Sequence, residues 1–133
     1  MKPILAILLV ILSLFSCTKE KPPTYADNII GRWELSKRFG TFVGSNENYA
    51  PGNGAILEFT NNTYKQLFNS QVVISGSYNI EPDTMINSTP PGGRLTIKSN
   101  GTTIFHFVTI SDNEIIVSDY GSDMEYKMYK RLQ

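Results

Sequence analysis

The sequence predicts an all-β domain, an eight-stranded antiparallel up-and-down barrel, with a two-sheet β-sandwich as the alternative. From Asn28 onward, short segments rich in β-branched and aromatic residues alternate with turn signals, and no stretch shows a helical period. Several turns also place apolar residues on one common face. Eight consecutive strands with one apolar face close on themselves most simply, because closure removes the edge strands that invite aggregation.

The turn signals divide the chain into eight segments of strand length. These are residues 29–39, 54–60, 63–69, 72–80, 94–99, 102–110, 114–119 and 123–131. The connection 40–53 is long and rich in glycine, and it is expected at the open end of the barrel, either as a flap or as a plain connection. The connection 81–93 carries three prolines and is expected at the opposite, sealed end.

The pair Asn61-Asn62 fixes the register of the second and third segments. A two-residue turn at this point places Phe59 opposite Tyr64 on one face. It places Glu58 opposite Lys65 on the other face. The first of these faces is therefore the buried one.

Two further turns extend the same pattern. Asn100-Gly101 is a strong type I′ signal and places Ile97 opposite Ile104. A turn at Asp112-Asn113 places His106 opposite Asp119. Apolar pairs line up on one face in both hairpins, and a register slip of one residue would destroy that agreement.

Strand alternation gives an inner face that is mostly apolar with a few polar groups. Phe105 and Phe107 are expected to point outward. The residues expected to point inward are Trp33, Leu35, Leu57, Phe59, Tyr64, Gln66, Phe68, Ile74, Tyr78, Leu95, Ile97, Ile104, His106, Val108, Val117, Asp119, Tyr126 and Met128.

The N-terminal segment has the pattern of an export signal. Lys2 is followed by the apolar run Ile4–Leu12, which is short for a membrane-spanning helix, and Leu14–Ser16 precede the only cysteine, Cys17. This segment resembles the lipobox of bacterial lipoproteins. The resemblance implies that residues 1–16 are removed and that the Cys17 thiol and the new amine are acylated, with palmitate as one expected chain.

These features divide the chain into a signal peptide at 1–16, a lipidated cysteine and tether at 17–27, and a barrel domain at 28–133. The tether is polar and contains two prolines. Several acyl chains would hold the domain on a membrane durably, since each buried methylene contributes about 0.8 kcal/mol. The expected location is the cell envelope, as a lipid-anchored protein of the outer membrane of a Gram-negative bacterium.

Composition narrows the classes of function. Twelve basic residues balance twelve acidic ones, so nothing indicates nucleic acid as a partner. With Cys17 lipidated, no thiol remains for a disulfide, a zinc site or a nucleophile. A single histidine excludes metal sites that need several imidazoles, and no motif marks a catalytic serine. We therefore expect a protein that is not an enzyme and has no cofactor.

Four stretches of the chain resemble the lipocalin family. The first predicted strand carries Gly31-Arg32-Trp33, the Gly-x-Trp pattern of the lipocalin opening strand, and residues 57–59, 76–78 and 126–131 resemble the small lipocalin-like lipoproteins of Bacteroidetes. The resemblance implies a barrel that binds a small ligand. It also implies a basic residue of the last strand lying across the tryptophan.

Two residues are candidates for closing the barrel over Trp33. The first and last strands meet at one rim, so a cation over the indole would seal that end. Strand alternation favours Lys130 for this role, whereas the lipocalin pattern favours Arg131.

His106 and Asp119 are the most informative polar pair expected inside the barrel. Such a pair can be a satisfied core group, can recognise the polar head of a bound molecule, or can act as a general base. The expected ligand is small and apolar or amphipathic, bound without catalysis. The residues expected to line its site are Phe59, Gln66, Phe68, Tyr78, His106, Asp119 and Tyr126.

The alternative function is an interaction module with a filled barrel. In that case the outward Phe105 and Phe107, together with the loops at the open end, would bind a protein or a glycan of the cell envelope.

Overall fold

The strands of the barrel follow the turn signals closely. The computed structural model describes residues 27–40, 46–82, 92–119 and 125–133. A short 3-10 helix at Asp27–Ile29 precedes the sheet. The strands are β1 (Gly31–Gly40), β2 (Glu47–Asn48), β3 (Ala55–Phe59), β4 (Thr63–Phe68), β5 (Gln71–Pro82), β6 (Gly92–Ser99), β7 (Thr102–Ile110), β8 (Glu114–Asp119) and β9 (Glu125–Arg131).

Eight of these strands form a closed antiparallel barrel of the lipocalin-like, up-and-down kind. Strands β3 to β9 follow one another as a meander, and β1 pairs with both β3 and β9. The pairing of β1 with β9 closes the sheet, which rules out the open sandwich. The eight predicted strands are confirmed, with shifts of a few residues at their ends.

The short strand β2 is an addition to the prediction. It pairs with β1 at Lys37 and Arg38, beyond the last residue of β1 that pairs with β3. Residues 46–54 therefore continue the barrel wall beside β1 and do not form a flap over the opening.

The register predicted from turn residues is confirmed in all three hairpins. Phe59 lies opposite Tyr64, Ile97 opposite Ile104 and His106 opposite Asp119. Asn100 and Gly101 have φ of 49° and 77°, as a type I′ turn requires. Asn69 and Ser70 also have positive φ, so the tight turn between β4 and β5 is of the same kind.

A continuous apolar core fills the barrel at the end where β1 begins and β9 ends. Its largest fully buried side chains are Trp33 and Phe59. The buried cluster consists of Ile29, Trp33, Leu57, Phe59, Tyr64, Leu95, Ile97, Val108, Ile110, Ile115, Val117 and Tyr129. Burial of this apolar area is the main stabilising contribution, since no disulfide is available to the chain.

The predicted inner face of β9 is wrong. Tyr129 is buried and pairs with the core residue Ile115, whereas Tyr126 pairs with Ser118 and stacks on Phe39 at 5.2 Å. Odd-numbered residues of β9 thus face inward, and Tyr126 and Met128 face outward. Residues 120–124 contain no turn signal that fixes their length, and a change of one residue moves every side chain of the next strand to the other face.

Three other residues expected inside lie at the open rim. Phe68 is 55% exposed, Ile104 is 37% exposed and the Asp119 side chain is 53% exposed. Their strand positions agree with the inner face, but they lie near strand ends, beyond the packed core.

Several sequence predictions lie outside the described residues. These are the signal peptide, Cys17 and its tether up to residue 26, residues 41–45 of the connection 40–53, and residues 83–91 of the connection 81–93. Within the described ranges, no helix has both the length and the apolar character needed to cross a membrane.

Candidate functional site

Arg131 closes the sealed end of the barrel. Its guanidinium carbon lies 4.0 Å from the centre of the Trp33 ring, and the Trp33 Nε1–H donates to the Ile29 carbonyl at 2.7 Å. Arg131 also donates to the carbonyl groups of Asn28, Ile30 and Asp112 at 2.7 to 2.9 Å. The planar guanidinium, with five N–H donors, can satisfy several carbonyls and stack on the indole at once.

The prediction that strand alternation places Lys130 on Trp33 is wrong. Lys130 is exposed on the outer face, opposite Glu34 in β1 and Glu114 in β8. The prediction for Lys130 is wrong for the same reason as the prediction that Tyr126 faces inward. Both residues are even-numbered, and the even-numbered residues of β9 face outward.

His106 and Asp119 meet in the open half of the barrel, as predicted. His106 Nδ1 lies 2.9 Å from Asp119 Oδ1, and Nδ1 is buried in an orientation that does not give an aligned hydrogen bond. Burial lowers the pKa of His106, and the Asp119 carboxylate opposes this effect. A neutral imidazole therefore lies beside an exposed carboxylate near the opening.

Arg38, Glu125 and Lys127 form a second polar group at this rim, which the sequence analysis missed. Arg38 Nε donates to Glu125 Oε1 at 2.5 Å, and Lys127 Nζ lies 3.8 Å from the same oxygen. The hydrogen bond from Arg38 is the main reason that the pKa of Glu125 is lowered. A bulge in β1 after Leu35 brings Arg38 opposite Lys127, and strict alternation from Trp33 could not have revealed this.

Two buried tyrosines lie between the core and the polar rim. The Tyr64 hydroxyl donates to Gln66 Oε1 over a long 3.4 Å, toward the open end of β4. Tyr129 is only 7% exposed. Burial raises the pKa of Tyr64 to about 12. Burial also raises the pKa of Tyr129, and Tyr64, Glu125 and Asp119 add to the effect.

Phe59 and Tyr78 lie deeper than the other predicted site residues. Phe59 is fully buried, and its ring packs edge-on against Tyr78 at 5.1 Å. The Tyr78 hydroxyl donates to the Thr60 carbonyl at 2.6 Å, at the sealed end. These two side chains support the core, whereas Gln66, His106 and Asp119 belong to the open half.

The side chains of the open half therefore change in character from the core to the rim. The apolar core is followed by tyrosine hydroxyls and Gln66, then by the pairs His106–Asp119 and Arg38–Glu125, with exposed Phe68 at the rim. The described ranges contain no group of three or more His, Cys, Asp or Glu side chains suited to a metal ion. The arrangement can donate and accept hydrogen bonds within a desolvated setting.

Comparison of the chain with protein-family models, with curated proteins and with solved structures found no match. The closed barrel is consistent with a lipocalin-like fold, and the resemblance to Bacteroidetes lipoproteins depends on the sequence motifs alone. Function has to be argued from the residues themselves.

Proposed function

We propose that this protein is a lipid-anchored binding protein that holds a small amphipathic molecule in the open half of the barrel without transforming it. The polar part of the ligand contacts Tyr129, Tyr64, Gln66 and His106, and its apolar part lies near Phe68 at the rim.

The observation that carries the proposal is the buried Nδ1 atom of His106, which has no aligned hydrogen bond among the described residues. A buried polar group without a hydrogen bond costs about 1 to 3 kcal/mol, so such groups are rare unless something else satisfies them. A polar group of a ligand would supply the missing partner. The Asp119 carboxylate beside His106 would then set the orientation of the head group.

The apolar rim favours a ligand with two different ends. Phe68 is exposed although it lies on the inner side of its strand, and Ile104 is partly exposed on β7. Exposed apolar side chains next to a polar interior suit a molecule that enters with its polar end first. The core below is already filled, so the ligand occupies the upper half alone.

The anchor follows from the N-terminal segment. Acylation of Cys17 would place the domain on a membrane of the cell envelope, with the outer membrane of a Gram-negative bacterium as the proposed location. The sealed end, where residue 27 enters the barrel, would then face the membrane, and the opening would face away from it.

Native mass spectrometry tests the binding function. The full chain, purified in a mild neutral detergent and exposed to lipid extract of a bacterial envelope, is expected to gain a reproducible mass that disappears on denaturation. Replacing Tyr129 by Phe removes only the hydroxyl and should weaken retention of that mass about tenfold. Tyr126→Phe, on the outer face of the same strand, is the matched control and should bind as the parent does. An unchanged Tyr129→Phe variant would refute the placement of the head group.

A second candidate function is capture of an envelope protein or glycan by the outer surface. It is favoured by Phe105, which points outward and is 48% exposed, and by the stacked pair Phe39–Tyr126 on the same outer side. Replacement of Phe105 by Ser should then abolish partner capture in an envelope pull-down, while Tyr129→Phe has no effect. The reverse pattern would favour the ligand in the barrel.

A further inference from the structure

A cleft on the outer wall of the barrel lies apart from the site in its open half. It has a volume of about 410 Å³ and is bounded by β1, by residues 48–51 and by the end of the chain. Its floor includes Glu34 and Ser36, one wall carries Tyr49 and Pro51, and the other carries Lys130 and Leu132.

The wall formed by residues 49–54 is held rigidly in place. The Tyr49 amide donates to the Ser36 carbonyl at 2.9 Å, and the Tyr49 hydroxyl donates to Glu47 Oε2 at 2.6 Å. Asn53 Nδ2 donates to the carbonyl groups of Leu35 and Ala50 at 2.7 and 2.8 Å. The Tyr49 ring is thus preorganised, which lowers the entropic cost of binding a ligand against it.

Glu34 is the polar centre of the cleft. Its side chain points outward, yet the residue is only 9% exposed because the segment around Gly52 folds over it. The Gly52 amide donates to both Glu34 oxygens at 3.1 and 3.0 Å, and the Gly54 amide donates to Oε1 at 3.3 Å. A carboxylate can accept about four hydrogen bonds, so acceptor capacity remains on Oε2.

No cation of the described residues neutralises this carboxylate. Within the four described ranges, no lysine or arginine nitrogen lies within 4.0 Å of a Glu34 oxygen. Arg131, which also borders the cleft, donates instead to three backbone carbonyls and stacks on Trp33. The amide hydrogen bonds offset part of the cost of burying this carboxylate, and a cation supplied by a ligand would add a charge-assisted contact at the remaining acceptor site.

We propose that the outer cleft binds a small organic cation, an ammonium group attached to an apolar body, with Glu34 as its counter-ion. The apolar body contacts Tyr49, Pro51 and Leu132, and the Tyr49 ring adds a cation–π attraction. Lys130 lies directly opposite Glu34 at the exposed edge of the cleft, with its nitrogen more than 4.0 Å from the carboxylate, and the bound ammonium competes with it for Glu34.

The test uses the full chain in a neutral detergent, with benzylamine as the cationic probe. Benzyl alcohol is the neutral probe of similar shape, and glucose is the polyol probe. Amide nitrogen–proton spectra report the site directly, because the Gly52 and Gly54 amides donate to Glu34. Benzylamine is expected to shift both signals to saturation, and benzyl alcohol and glucose are expected to leave them in place.

Glu34→Gln removes the charge but keeps an oxygen that can accept from the two glycine amides. Benzylamine should bind this variant about tenfold more weakly or worse. Glu58→Gln is the matched control, since Glu58 lies on the same outer face but pairs with Arg32 and Lys65. Dispersed Gly52 and Gly54 signals in the variant would verify that the wall persists.

Equal binding of benzyl alcohol or unchanged benzylamine affinity in Glu34→Gln would overturn the proposal. Saturable shifts with glucose alone would also overturn it and would assign the cleft to a saccharide. An absence of shifts with all three probes would also overturn it.

Discussion

Replacement of Arg131 by Met should destabilise the barrel severely, because one side chain connects the 3-10 helix, the turn between β7 and β8, and the indole. Methionine keeps much of the volume and loses three hydrogen bonds and the cation above Trp33. A hydrogen bond from a charged donor contributes about 1.5 to 3 kcal/mol to stability. The lower value applies here because water can reach part of the sealed end of the barrel. The cation–π contact adds about 0.5 to 1 kcal/mol.

The expected loss in the free energy of unfolding is therefore about 5 kcal/mol. For a domain of this size, that corresponds to a decrease in Tm of about 15 °C or more. Urea unfolding followed by the fluorescence of Trp33, the only tryptophan, measures the loss directly.

Lys130→Met is the matched control, since it removes a neighbouring cation of the same strand that lies on the exposed outer face. It should change the free energy of unfolding by no more than about 0.5 kcal/mol. A loss below about 1 kcal/mol for Arg131→Met, or equal losses for the two variants, would refute the argument that Arg131 closes the barrel.

Three further predictions concern titration and close packing. Burial lowers the pKa of His106, so the unfolded chain binds a proton at a higher pH than the folded protein does. The free energy of unfolding should therefore fall as the pH decreases below about 6.5. Urea midpoints at neutral and mildly acidic pH should show this dependence in the parent, and the His106→Gln variant should lose it. Tyr64 and Tyr129 should remain protonated in the folded protein above pH 10, where exposed tyrosines ionise, and the ultraviolet absorbance of tyrosinate should show two late groups that titrate normally in denaturant. Gly76→Ala would place a Cβ 2.1 Å from the Lys98 carbonyl oxygen and should force β5 and β6 apart. The free energy of unfolding, measured in the same urea assay, should fall by more than about 2 kcal/mol. A fully stable variant would contradict this packing.

The site shows where sequence reasoning reaches its limit. The pair His106–Asp119 could be predicted, because a two-residue turn at Asp112-Asn113 fixes which residues of β7 and β8 face each other. Tyr129 could not, since Gly121 and Ser122 indicate a turn without fixing its length, and the inner face of β9 depends on that length. Arg38 was missed for a related reason, because the bulge after Leu35 changes the alternation of β1.

The outer cleft was also beyond the sequence. Residues 46–54 contain glycines and polar groups, as either a flap or a plain connection would. The pairing of β2 with β1 and the contact between the Glu34 carboxylate and the Gly52 and Gly54 amides place this segment in the wall of the barrel.

The sequence by itself determined the all-β class, the eight strands and the register of three hairpins. Alternation and tight turns are local properties of the backbone, so neighbouring residues encode them completely. The tertiary structure alone decided that Arg131 rather than Lys130 covers Trp33 and that Tyr129 rather than Tyr126 faces the interior. These outcomes depend on contacts between residues almost a hundred positions apart, and the free energy of such contacts is set by packing that no local pattern contains.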